Sequence, residues 1–573
     1  MHDLIIRGGT VIDGSGRPAE TADIAVDAGI ITSVGRLAEG AAAAHRQIDA
    51  DGLLVTPGFV DIHTHYDAQV TWDPQLTPSS WHGCTTVVMG NCGVGFAPAA
   101  PDRHEWIIGL MEGVEDIPGA ALTEGIQWAW ESFPEYLDSL DGKERAIDFA
   151  AQIPHGAVRG YVMGQRGANN EDATDADLAA MADIVREAIR AGAVGFSTSR
   201  TSLHRAIDGR HVPGTYAPKE ELFAMAAAVR DGGGGVFQMA CEHSDVPTEL
   251  SMMQTLSETY GLPVMFNLSQ FDQSPELWRD VMGQLAAINE GPASVHGQVA
   301  GRAIGIVMAL QSTAHPFALK PSWLQLYHSG WEVQWAALQD AEFRQKLMDE
   351  ESIFMGDFEA FVTSSFDKMF LVSDGYEPRP EQSIAAQAAA TGRRPEEIAM
   401  QTLLQHDGQG MLYFPLFNYS QGSLDVLHQL HQSEHTRMGL SDAGAHCGSI
   451  CDGGMPTFML THWTRDRTRG ELLPLEWVIH RQTQQTAQSF GLLDRGLLKP
   501  GYRADINVID YDNLRLQRPR LVWDLPAGGR RLIQRAEGYR ATFKGGVAIS
   551  ENDTPTGALP GRLVRGRRSA PAN

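Results

Sequence analysis

The stretch Asp172–Ser199, "DATDADLAAMADIVREAIRAGAVGFSTS", decides the fold class. Thr174 is a helix N-cap. Leu178, Met181, Ile184 and Val185 are spaced for one helical face, and Gly192 stops the helix. Ala193–Ser199 then reads as a buried strand. The same order returns in residues 220–240, "EELFAMAAAVRDGGGGVFQMA", and in 253–270, "MQTLSETYGLPVMFNLSQ". Helices alternating with short apolar strands over several hundred residues predict a parallel sheet with crossover helices. A (β/α)8 barrel with insertions fits the length. A doubly wound sheet is the rival, but no Gly-rich phosphate turn follows the first strand.

The flanks have another texture. Residues 4–35, "LIIRGGTVIDGSGRPAETADIAVDAGIITSVG", alternate β-branched runs with Gly and Asp turns, as antiparallel hairpins do. The texture returns in "ADINVIDYDNLRL" and "GYRATFKGGVAIS". We therefore expect a small β-sandwich domain assembled from residues 1–56 and 485–573, around a barrel spanning 57–484. Residues 331–350, "WEVQWAALQDAEFRQKLMDE", predict a helical insertion around 320–400. The tail 555–573 mixes Pro, Gly and Arg without periodicity and is expected to be disordered.

The chain's 573 residues suffice for a large domain and a smaller one. A net charge of -26 argues against nucleic acid and anionic membrane surfaces. Mean hydropathy is -0.21, and no apolar run is long enough to cross a bilayer. The N-terminus shows no basic head followed by a long apolar segment, and five scattered cysteines make no disulfide framework. A cytoplasmic location follows as the expectation; association into a homo-oligomer is left open.

Chemistry enters at "GFVDIHTH" (58–65), a strand ending in His63 and His65. Residues i and i+2 of a strand point to one side, so both imidazoles face one space. The next strand-like run, "TTVVMGNC", ends in Cys92. Two imidazoles and a thiolate suit zinc; the alternative is two strand-capping histidines and a buried packing thiol. In "RMGLSDAGAHCGSICDGG" (437–454) a short apolar strand ends in Asp442, placed to ligate a metal and to accept a proton from water, or simply to cap its loop. His446, four residues on, is a candidate metal contact, leaving-group partner or loop hydrogen bonder. Arg302, after a short strand, suits a substrate carboxylate or a structural ion pair. Asn418 and Tyr419 are candidate oxyanion donors.

"GFVDIHTHYD", "GNCGVGFAP" and "SDAGAH", with the terminal β segments, resemble the amidohydrolase superfamily, nearest its D-aminoacylase (N-acyl-D-amino-acid deacylase) branch. "MEGVEDIPGAAL" and "LPAGGRRLIQRAEGYRATF" resemble a subgroup of that branch. The resemblance spans nearly the whole chain. It implies a metal-bearing (β/α)8 barrel with a β domain from both termini. His63, His65 and Cys92 would be metal ligands, and Asp442 the last-strand catalytic base. The reaction would be hydrolysis of a small-molecule amide, typically an N-acyl-D-amino acid, or of a cyclic amide, carbamate or lactone. The branch also has one histidine at the fifth strand end and one at the sixth. Here Gln238 stands at the first position and "NLSQ" (Asn267–Gln270) at the second. Three outcomes follow: about one divalent ion, with zinc expected; a site rebuilt from His243 or His446; or a small-molecule-binding relative without turnover. Gln238 and His243 are candidate substrate contacts.

Overall fold

The computed structural model describes residues 1–37, 43–242, 245–354 and 356–572. The deciding stretch folds as a helix, Asp175–Ala191. Thr174 accepts a hydrogen bond from the Asp177 amide and Asp177 returns one, a reciprocal cap that satisfies otherwise orphaned donors. Met181, Val185, Ala188 and Ile189 are buried on its inner face, and Gly192 ends it at a φ of 119°. Leu178 and Ile184 lie half-buried at the edge of that face. The chain then enters the fully buried strand Gly195–Ser199.

Two parallel sheets carry the core. One orders Phe59–Asp61, Cys84–Met89 and Asp148–Ala151. The other runs Ile153–Pro154, Gly195–Ser199, Val236–Ala240, Val264–Asn267, Val295–Val299 and Thr436–Met438. Asp148–Ala151 closes the first sheet and Ile153–Pro154 opens the second, so one stretch of chain links the two. Beyond the last strand, a parallel bridge joins Ala443 to Thr64, just past the first strand. The Asp442 amide donates to the His63 carbonyl at 3.2 Å and the His65 amide to the Ala443 carbonyl at 2.9 Å. The C-terminal ends of the first and last strands are thus stitched together, which brings distant residues to one rim.

A nine-stranded sheet stands apart from these. Leu54–Pro57 pairs antiparallel with Ile506–Ile509, which joins strands from the two ends of the chain. Leu4, Ile6, Ile24, Val55, Val508 and Phe543 pack its core.

The helical insertion has its own core and a wider frame than 320–400. Gly305–Met308, Phe370–Leu371 and Leu412–Pro415 form an antiparallel sheet under it. Phe317, Trp323, Leu338, Leu347 and Leu403 fill the space between sheet and helices.

The C-terminal tail corrects the sequence expectation of disorder. Gly561 donates to the Arg145 carbonyl at 2.7 Å, Val564 to Phe149 at 2.8 Å and Gly566 to Gly192 at 2.7 Å. Leu563 and Val564 are buried. Two adjacent apolar residues and a run of backbone hydrogen bonds lace the tail across the parallel strands, which its Pro, Gly and Arg content concealed.

Candidate metal centre and active site

His63 and His65 follow the first parallel strand, Cys92 the second and Asp442 the last. All four meet at the C-terminal rim. The ligand atoms of His63, His65 and Cys92 lie within 4.8 Å of one another, and all three residues are buried. Cys92 Sγ is 3.3 Å from His63 Nε2. Asp442 Oδ1 is 3.3 Å from His63 Nε2 and 3.7 Å from His65 Nε2. That carboxylate oxygen is buried and accepts no hydrogen bond. A buried orphan acceptor beside two imidazoles and a thiol is what a cation site requires. The donor set therefore fits one divalent ion, and zinc best.

Backbone geometry serves the same end. Cys92, Asp442 and His446 adopt φ values of 56°, 45° and 49°, a region L-residues seldom occupy. Strain of this kind persists where the surroundings enforce it and clusters at functional sites. Gly93, beside Cys92, also has positive φ, and a Cβ there would meet the Ser199 amide nitrogen at 2.5 Å.

Both candidate histidine ligands are held from behind. His63 Nδ1 donates to Gln298 Oε1 at 2.5 Å, which turns Nε2 toward Asp442 and Cys92. His65 Nδ1 lies 3.3 Å from Glu115 Oε1. Glu115 is buried at the end of the helix His104–Glu115. Its other oxygen, without a hydrogen-bond partner, lies 3.6 Å from His446 Nε2. Glu115 thus sits between His65 and His446, and neither it nor Gln298 was singled out from sequence.

Without an ion, the protein groups favour a thiolate and a carboxylate held against protonated imidazoles. Burial opposes charge on His63, but the Cys92 sulfur and Asp442 outweigh it and raise its pKa to about 9. His65, also buried, is pushed well above its ordinary value by Glu115 and Asp442. Burial works against ionising Cys92, yet His63 and His65 draw its pKa below the usual thiol range. Burial would raise Asp442 too, but His65 and His63 hold it well below the ordinary carboxylate range.

Several expectations need correction. Gln238 does not reach the substrate space: its Oε1 accepts from the Cys92 amide at 2.9 Å and its Nε2 donates to Asn267 Oδ1 at 3.0 Å. The two side-chain amides brace Cys92, Gln238 through the cysteine's backbone amide and Asn267 through Nδ2, 3.7 Å from its sulfur. Arg302 is sealed inside, 3.0 Å from Asp452 and 3.6 Å from the Tyr376 ring centre. The bland reading of Arg302 as a structural ion pair holds. Asn418 Oδ1 accepts from the Gln270 amide at 2.8 Å. The Tyr419 hydroxyl donates to Pro378 and accepts from Arg469 at 3.1 Å. The Asn418 Nδ2 is buried without a partner, but neither residue lines the cavity over the centre. His243 lies outside the described residues.

A cavity of about 480 Å³ opens over the centre, lined by His65, Cys92, Glu115, Asp442 and His446 among others. No helix among the described residues is long and apolar enough to cross a membrane.

A family model described as the amidohydrolase family matches residues 46–549. The D-aminoacylase of Alcaligenes xylosoxydans xylosoxydans is 27% identical over 568 residues, covering 98% of this chain and 97% of that protein. The N-acyl-D-glutamate deacylase of the same organism is 26% identical over 575 residues, covering 98% and 96%. Among solved structures, a D-aminoacylase with a binuclear metal centre aligns with a TM-score of 0.66 at 23% identity, covering 99% of this chain and 100% of that one. The N-acyl-D-glutamate deacylase of Bordetella bronchiseptica, complexed with zinc and a phosphonate inhibitor, aligns at 0.65 and 24% identity, covering 98% and 99%. At these identities the structural likeness bears on the fold.

Proposed function

This chain belongs to the amidohydrolase family, and from that premise we propose that it hydrolyses the amide bond of a small molecule with one divalent ion. His63, His65, Cys92 and Asp442 would hold the ion. We read the parallel strands as a (β/α)8 barrel whose C-terminal rim carries the site; the pairing of Thr64 with Ala443 supports that reading. The observation that carries the proposal is the buried Asp442 oxygen, unpartnered and facing both imidazoles.

When bound, the ion supplies Lewis acidity at the carbonyl and makes hydroxide available near neutral pH. The remaining work falls to side chains. Asp442, held ionised, is the general base for water and returns the proton to the leaving nitrogen. Gln298 fixes the His63 tautomer, and Glu115 orients His65. His446, against the far oxygen of Glu115, lines the cavity where the leaving group departs. The relatives named above act on N-acyl-D-amino acids, so amides of that general type are the first substrates to try.

The test is a panel of N-acyl amides in both enantiomers, read as released amine. Hydrolysis lost on chelation and regained with zinc is expected. Turnover that survives chelation, or opening of cyclic amides or lactones with no linear amide cleaved, would contradict the proposal.

A further inference from the structure

The cavity over the centre does not end there. A second space, about 200 Å³, continues from it, and the two share Leu203, Phe358, Leu416 and Phe417. The inner part adds Ile304 and Ile306, and the outer part adds Phe271 and Phe361. Leu203 and Phe358 are 45% and 47% exposed, so the trench reaches solvent, and there its apolar side chains share the lining with Glu242, Asp272, Gln273 and Ser274. Phe358 and Phe361 come from the insertion helix Asp357–Ser364, which places the insertion as one bank of the trench.

The opposite wall of the inner cavity is acidic. Glu112, Glu115 and Asp116 line it. Glu112 caps the Gly119 amide at 2.9 Å, and Asp116 accepts from the Thr313 and Ser449 hydroxyls at 3.0 and 2.8 Å. Glu115, itself buried, has one oxygen with no hydrogen-bond partner. No lysine or arginine is among the described residues lining either space. The residues outside the description (Ala38–Ala42, His243, Ser244, Met355 and Asn573) include none either. Arg302 is spent on Asp452. Arg530 donates to the Thr313 hydroxyl at 3.4 Å and does not line the cavity. A substrate carboxylate in this space would face three carboxylates. Apart from the ion itself and the imidazoles of His65, His204 and His446, no cationic side chain among the described residues lines the space, and Lys368 behind it is paired with Asp272. Like-charge juxtaposition in a partly dry cavity is strongly unfavourable.

We propose that the amide cleaved here joins a long apolar acyl chain to an amine without a carboxylate, the chain lying in the trench and the amine facing Glu112 and Asp116. The inference rests on the hydrolase reading above and specifies its substrate class. In the reaction the C–N bond breaks and a C–O bond forms from water. One water proton passes through Asp442 to the leaving nitrogen, and the products are a fatty carboxylate, a released proton and the amine. Each methylene buried in an apolar groove strengthens binding by about fourfold, and binding along the chain can be used to raise kcat/KM.

The experiment uses the zinc-loaded full chain and measures kcat/KM for acetyl, butanoyl and octanoyl amides of leucine, in both enantiomers, and of 3-methylbutylamine, which is leucine without its carboxylate. Calorimetry compares binding of the octanoyl-matched methyl ketone with that of acetone. The expected result is a rise of about two- to fourfold per methylene, and a preference of at least about tenfold for the carboxylate-free amine. Phe361→Ser should flatten the chain-length slope. A flat or falling series, or a preference for the leucine amides, overturns the proposal. Equal binding of the two ketones overturns it as well. If no amide is cleaved while the long ketone still binds more tightly, the trench stands and the hydrolase reading fails.

Discussion

The parallel strands carry a buried polar cluster at each end, and the two are built on opposite principles. At the N-terminal ends, Asp148 lies 2.7 Å from Lys544 and 2.8 Å from Arg495, and accepts the Arg562 amide at 2.8 Å. Lys544 also holds Asp505 at 2.8 Å. The charges there are paired with opposite charges between the parallel strands and the terminal β sheet, and the tail adds a backbone amide. Of this cluster, among the described residues, only Arg503, 3.8 Å from Asp148, keeps a buried donor, Nε, without a hydrogen bond. At the C-terminal ends, Asp442, His65 and Glu115 each keep a buried atom without a hydrogen bond. Satisfied networks fix a structure, and unsatisfied ones mark where something else binds. The first cluster clamps the parallel strands to the terminal β sheet. The second we read as the proposed site.

Substitutions should separate the two. The largest effect belongs to Asp442→Asn. Loss of the base should lower kcat by about 10²–10⁴-fold in protein shown to contain metal, with KM little changed. The protein should stay folded, but its melting temperature should fall somewhat, because the variant leaves the His63 and His65 imidazoles without the carboxylate that draws them. Near wild-type turnover would make His446 the next base to examine. Lys544→Met should do the reverse. Leaving Asp505 without its close partner, and Asp148 to Arg495 alone, costs about 3–5 kcal/mol, seen as a lower denaturation midpoint, while kcat of the folded fraction is kept. Deleting residues 561–573 removes the Arg562 contact to Asp148 and should shift the midpoint the same way; an unchanged midpoint would deny the tail its role. Glu115→Gln is the subtlest. Weakening a partner behind a ligand lowers metal affinity or activity by about 10–100-fold, read by competitive chelation. No change would mean that Glu115 only shapes the cavity wall.

What could be read from the sequence follows the same division. His63, His65, Cys92 and Asp442 were legible because each ends a strand-like run, and strand ends converge in a parallel fold. Glu115 was not, since a carboxylate closing a helix looks like ordinary surface until its burial against His65 is seen. Gln298 sits within a strand, where an amide reads as packing. Arg302 looked available because its partner, Asp452, lies 150 residues away. The tail misled for a similar reason: Leu563 and Val564 are too few to register as a pattern, yet they are buried. Long-range pairing is what local composition does not carry.

Elemental analysis of purified protein after dialysis tests the central claim most directly, with wild type, Cys92→Ala and the double variant His63→Asn/His65→Asn measured side by side. Because His63 must lose a proton held to about 9 before it can bind a cation, affinity should strengthen as pH rises toward that value. The account predicts about one zinc per wild-type chain, weakened retention in Cys92→Ala and none in the double variant. Two firmly held ions per wild-type chain, or an ion retained by the double variant, would contradict it.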